Sequence, residues 1–137
     1  MGTTKKVLVV DDEKGIRFLL SEVLNNQGFQ VSVARDGQES LDKLEKDRFD
    51  LVVTDINMPR LDGVAMLECM QKTGRSEKII IMTGDTSDSR LTNLKIPNVV
   101  TRLRKPFGIG NFLDVVIAAT QNRLDGIGTE EIPAFSV

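Results

Sequence analysis

DLVVTDINMPRLDG, residues 50–63, places an apolar run, an acid and a proline-bearing loop in that order. The run at 51–54 reads as a strand buried on both faces of a parallel sheet, and it delivers Asp55 to the strand's C-terminal end. In the loop at 56–61, Pro59 disfavours helix at the preceding Met58. A helix is expected at 63–72, with Val64, Leu67 and Met70 inward and Gly74 beyond its end.

Strand and helix patterns alternate on either side, without an internal sequence repeat. A strand at 7–10 ends at Asp11, Asp12 and Glu13, and a helix follows with Ile16, Leu19, Leu20, Val23 and Leu24 on one face, closed by Gly28. A strand at 29–33 and a turn at 34–37 lead to a helix at 38–47, whose thin apolar face centres on Leu41 and Leu44. A fourth strand at 79–82 ends at Thr83. Residues 85–93 form a short polar candidate helix with few apolar anchors, expected to be the most mobile one. The last strand, 99–103, precedes a helix at 109–123 that is expected to bury Ile109, Phe112, Leu113, Val116, Ile117 and Thr120. Five strands alternating with five helices predict an α/β fold, a doubly wound parallel sheet in strand order 2-1-3-4-5. One domain is expected over residues 1–124, with 125–137 as a C-terminal tail or the start of a linker.

Composition sets outer limits. A chain of 137 residues with 40% hydrophobic and 28% charged residues suits one globular domain. The formal net charge of −2 offers no bulk basic field for nucleic acid. The single cysteine, Cys69, excludes an internal disulfide, and no apolar run approaches the roughly 18 residues that span a bilayer. A cytoplasmic location is the resulting expectation. The sequence has no histidine, so neither imidazole catalysis nor histidine-ligated zinc is available to it.

Ligands of open parallel sheets bind beyond the carboxyl ends of the strands. Asp11 and Asp12 follow the first strand, Asp55 the third, Thr83 the fourth and Lys105 the fifth. Three carboxylates brought together there need a cation or raised pKa values. Oxygen ligands in an open site suit Mg²⁺, while a hydroxyl and an ammonium are the donors a phosphoryl group requires. Metal-assisted phosphoryl transfer follows, with Asp55, central in the sheet, as the candidate nucleophile.

The motifs VLVVDDE at 7–13, ARDGQES at 34–40, DLVVTDINMPRLDG at 50–63, IIIMTGD at 79–85 and LRKPF at 103–107 resemble those of the receiver domains of two-component response regulators, which have a flavodoxin-like fold. The resemblance runs from Lys6 to about Arg123 and implies a role for each matching position. Asp55 corresponds to the phosphoacceptor. Asp12 and Asp55 correspond to direct Mg²⁺ ligands, with the backbone carbonyl of Asn57 as a third and Asp11 acting mainly through water. Thr83 and Lys105 correspond to residues that bind phosphoryl oxygens, Gly84 to a small residue leaving room for the phosphodonor, and Pro106 to a proline after a cis peptide. Asn57 and Asp85 match positions that tune the phosphoryl group's lifetime, and a polar pair there predicts relatively fast self-dephosphorylation.

The implied function is a phosphorylation-controlled binding module, not a metabolite-turnover enzyme. Its donor would be a sensor histidine kinase or a histidine phosphotransfer protein, and its target a downstream protein, a fused output domain or a phosphorylation-dependent homodimer. No direct nucleic-acid or membrane contact is expected. One position departs from the family. Arg102 stands where receivers commonly carry Tyr or Phe, and a guanidinium cannot enter the apolar pocket such a ring fills without a large desolvation cost. Arg102 and Arg104 either protect an edge strand or, with Arg90, form a basic partner surface on the face of the fourth helix, fifth strand and fifth helix. Two other readings remain: a receiver-fold scaffold whose phosphorylation is dispensable, and a haloacid-dehalogenase-type phosphatase. The latter wants Asp-x-Asp after the first strand, where this chain has adjacent Asp11 and Asp12.

Overall fold

The computed structural model describes residues 4–84 and 89–121, apart from the side chain of residue 92. The elements run β1 (Lys6–Val10), α1 (Lys14–Asn26), β2 (Gln30–Ala34), α2 (Gly37–Lys46), β3 (Leu51–Asp55), α3 (Gly63–Lys72), β4 (Lys78–Thr83), α4 (Ser89–Thr92), β5 (Val99–Arg104) and α5 (Ile109–Thr120). The strands form one parallel sheet in the order β2-β1-β3-β4-β5, the order expected from the alternating pattern.

Unbroken apolar runs are explained by what covers the sheet. Alternate residues of each strand point to opposite faces, and both faces are buried. Leu8, Val10, Val52, Ile79 and Ile81 pack with Leu44 of α2, with Val64, Leu67 and Met70 of α3, and with Leu91 of α4. On the other side, Val7, Val9, Leu51, Val53, Ile80 and Met82 pack with Leu20 and Leu24 of α1 and with Phe112, Val115 and Val116 of α5.

Two local expectations are corrected, and the fifth strand, found where expected, carries an irregularity. Leu19 is 44% exposed beside Phe18 at 68%, because α1 meets the sheet along the Leu20–Leu24 row and Leu19 lies about 100° around the helix from Leu20. In α5, Val115 is buried while Ile117 is half-buried, which turns the buried stripe slightly from the expected one. In β5, Ile79 pairs with Val99 but Ile80 pairs with Thr101, so Val100 is bulged out of register and 46% exposed. The upstream part of the expected 85–93 helix, including Asp85, and residues 122–137, including the expected tail, lie outside the described residues. Among the described residues no helix is long and apolar enough to cross a membrane.

Candidate functional site

Adjacency of β1 and β3 in the sheet brings Asp11, Asp12 and Asp55 together, with one carboxylate oxygen of each lying within 4.8 Å of the others. The three are not equivalent. Asp11 is fully buried, and its carboxylate accepts from the backbone N–H of Glu13 at 3.0 Å and from Lys105 Nζ at 2.9 Å. Its carbonyl accepts from Arg17 Nη1 at 2.8 Å. Asp12 is exposed at the rim. Asp55 is buried at the end of the central strand, where its Oδ1 accepts from the N–H of Ile56 at 2.8 Å.

Lys105 reaches in from the end of β5 and bridges Asp11 at 2.9 Å and Asp55 at 3.4 Å. Burial pushes the Asp55 carboxyl above its ordinary value, Lys105 opposes that, and Asp11 adds to it. Lys105 is itself held above the ordinary lysine range: burial works against its charge, but the bond to Asp11 and the field of both carboxylates outweigh it. Burial, more than the neighbouring charges, sets the direction of the Asp55 shift. Three convergent carboxylate oxygens at an open rim fit a hard divalent cation.

Thr83 is 1% exposed at the end of β4, and its carbonyl accepts from the N–H of Lys105 at 2.8 Å, tying the two strand ends together. The neighbouring Gly84 is exposed, and a Cβ built there would meet nothing within 4 Å. The Lys105–Pro106 peptide bond is cis. Asp85 is outside the described residues.

The loop after Asp55 is fastened at both ends. The N–H of Gly63 donates to Ile56 O at 2.8 Å, and a Cβ on Gly63 would stand 2.3 Å from the Asp55 carbonyl oxygen. Gly37 donates to Leu61 O at 2.8 Å, and a Cβ there would stand 2.2 Å from that oxygen. Arg60, with a φ of 64°, forks onto Asp36 through Nε at 2.7 Å and Nη2 at 3.1 Å. This bond with Arg60 is the chief reason the Asp36 carboxyl lies below its ordinary range. Asp36 also caps α2 by accepting from the N–H of Glu39, while Glu39 accepts from the N–H of Arg35. That reciprocal arrangement resembles a capping box and was readable from the Asp-x-x-Glu spacing.

The remaining arginines are divided. Arg104 is exposed on β5. Arg102 donates through Nη2 to the Leu91 carbonyl of α4 at 3.2 Å, a contact that neither edge protection nor a partner surface anticipated. Arg90 leaves α4 for the β3–α3 loop, pairing with Asp62 and lying 3.4 Å from Asn57 Oδ1. Neither Arg60 nor Arg90 carried a sequence signal for these partners, because long flexible side chains meet only once the fold brings their elements together.

Residues 7–117 match the family model for the response regulator receiver domain. The chain belongs to the response regulator receiver family. Among curated receiver relatives, it is 38% identical over 112 residues to sporulation initiation phosphotransferase F of Bacillus subtilis, covering 82% of this chain and 90% of that protein. It is 34% identical to response regulator MprA of Mycolicibacterium vanbaalenii, covering 96% of this chain but 58% of that protein. The chain therefore spans little more than half of that longer relative. Among solved receivers, chemotaxis response regulator CheY4 of Vibrio cholerae superposes with a TM-score of 0.76 at 34% identity, covering 85% of this chain and 99% of the other. Response regulator protein TrrA of Thermotoga maritima, solved in complex with Mg²⁺-BeF, gives 0.74 at 31% identity, with the same coverage.

Proposed function

We propose that this receiver is a signalling switch phosphorylated on Asp55. The observation that carries this reading is the convergence of Asp11, Asp12 and Asp55 with Lys105 at the strand ends, beside the buried Thr83. Asp11, Asp12, Asp55 and the backbone carbonyl of Asn57 would hold Mg²⁺, which supplies charge neutralisation for the carboxylates and the incoming phosphoryl group. Its donor would be a phosphohistidine on a sensor histidine kinase or phosphotransfer protein, and that histidine belongs to another chain or domain, since this sequence contains none. A relative named as a phosphotransferase and a neighbour solved with Mg²⁺-BeF support the same chemistry.

Asp55 attacks phosphorus through a carboxylate oxygen as the phosphorus–nitrogen bond to the donor imidazole breaks. Burial keeps Asp55 more basic than an ordinary aspartate, which favours its role as nucleophile. Lys105, held 2.9 Å from Asp11, exchanges part of that contact for a phosphoryl oxygen. The Thr83 hydroxyl donates to another, and Gly84 leaves the approach open. Phosphorylation then shifts the population of the α4-β5-α5 surface, which carries Arg90, Arg102 and Arg104, towards a state that a downstream protein, a fused output domain or a second copy recognises. Loss of phosphate is self-catalysed, and Asn57 and Asp85 are the candidates to tune it.

Intact mass after incubation with acetyl phosphate and Mg²⁺ tests this reading. One phosphoryl group should be gained, dependent on Mg²⁺ and absent in Asp55→Asn. If wild type stays unmodified even when short-lived acyl phosphates are trapped, the switch is refuted and a phosphorylation-independent scaffold takes its place.

A further inference from the structure

Asn57 lies two residues beyond Asp55 on the exposed loop, and its side-chain oxygen is already engaged. Arg90 contacts Asn57 Oδ1 at 3.4 Å through Nη2 while its Nη1 pairs with Asp62. A guanidinium only donates, so Asn57 must present its oxygen to it. Asp62 is a firm anchor for that fork. It is the N-cap of α3, accepting from the N–H of Ala65 at 3.0 Å, and the following Gly63 is seated directly on the Asp55 carbonyl. Its carboxyl stays charged: burial opposes ionisation, but the bonds from Ala65 and Arg90 outweigh it and hold its pKa below the ordinary value. Arg90 thus spans from α4 to a helix cap fixed on the phosphoacceptor strand, and takes hold of the nearest amide oxygen on the way.

Given the phosphorylation of Asp55 proposed above, we infer that Arg90 is a positioning residue that slows hydrolysis of the aspartyl phosphate. In that hydrolysis a water oxygen bonds to phosphorus as the bond from phosphorus to the Asp55 oxygen breaks. The electron pair returns to the carboxylate, and both water protons end on inorganic phosphate. Attack is faster when a neighbouring acceptor orients the water. The Asn57 oxygen is such an acceptor at the right end of the strand, and Arg90 takes up one of its two lone pairs and fixes the direction of the other. Because the fork also binds Asp62, moving Arg90 away from Asn57 strains a second contact, so the oxygen stays engaged. Hydrolysis then proceeds with a less ordered water, and the switch holds its phosphate longer than the polar loop alone allows.

The test uses protein loaded with acetyl phosphate and Mg²⁺, freed of donor, and followed by intact mass for wild type, Arg90→Ala, Asn57→Ala and the double variant. Arg90→Ala should lose phosphate roughly threefold to tenfold faster, the range that one hydrogen bond controls. In the Asn57→Ala background the same change should have no effect, since the oxygen it releases is gone. A general loosening of the site would instead speed hydrolysis in both backgrounds. An unchanged or longer lifetime in Arg90→Ala, or an acceleration that persists without Asn57, overturns the role of Arg90 alone. Absence of any adduct on wild type overturns this role and the proposed switch together.

Discussion

Glu77 and Asp55 are buried to a similar degree, at 4% and 7% exposed, but they sit at opposite ends of the same sheet. Glu77 directly precedes β4. It accepts from Arg75 through both carboxylate oxygens and from the N–H of Phe49 at 3.2 Å. Its own carbonyl, with that of Arg75, accepts from the Asn98 amide. Every partner there is supplied by the chain, and the result is a staple between the starts of β3 and β4. Asp55, at the other end, shares one lysine with Asp11 and faces a third carboxylate. The contrast teaches that burial alone does not mark a functional acid. A carboxylate saturated by its neighbours holds the fold, whereas one with fewer partners of its own is the candidate to take a ligand from outside.

The largest effect should come from breaking the saturated end. Glu77→Ala leaves the Arg75 charge and the Phe49 N–H without their acceptor and is expected to cost about 3 kcal/mol, near the low end for a buried pair because Arg75 keeps some water. Urea unfolding measures it, and phosphate uptake at temperatures where the variant stays folded should be unchanged.

The opposite end should respond with the opposite sign. Since burial raises the Asp55 pKa in the fold, its favourable contribution is complete below the ordinary carboxylate pKa and is lost as pH rises through the folded value. Without metal, Asp55→Asn should therefore be more stable than wild type near neutral pH, and the gap should close on acidification. Adding Mg²⁺ to about 100 times its dissociation constant should stabilise wild type by about 2.7 kcal/mol, with a much smaller gain in Asp55→Asn. Thermal melts across pH and Mg²⁺ concentration check both, and equal curves for the two proteins would erase the distinction between the ends.

The smallest expected effect lies between the two. Arg102→Ala removes one bond to the Leu91 carbonyl and should cost about 0.5–1 kcal/mol. Hydrogen exchange should register it at the Leu94 N–H, which shares that carbonyl, and not at the β1 or β3 amides.

The functional end was more legible in the sequence than the structural one. Asp11, Asp55 and Thr83 each stand at the end of an apolar strand, with Asp12 next to Asp11 and Lys105 just after the more polar fifth strand, so the alternating pattern that gives the fold also gives their convergence. Glu77 terminates nothing and precedes a strand, where an acid has many ordinary uses. The bulge at Val100 leaves no trace in composition, since Val-Val-Thr reads as continuous strand. Leu19 misleads because an apolar residue at helical spacing can fall at the margin of a stripe. The forks of Arg60 and Arg90 depend on three-dimensional placement alone. Arg102 was conspicuous as a departure, but its partner is a backbone carbonyl, and carbonyls have no sequence signature.

The two glycine contacts bear on how such a site can be transplanted. Gly63 lies against the Asp55 carbonyl, and Gly37 lies against that of Leu61 in a different element. The segment 56–62 is therefore not a self-contained cassette, because one of its two anchor points lies some twenty residues upstream. A graft of the loop into a related scaffold would need a glycine at both anchors. Between them, Asn57 and Pro59 are exposed, so neither glycine contact holds their side chains, and a graft would carry them along with the loop.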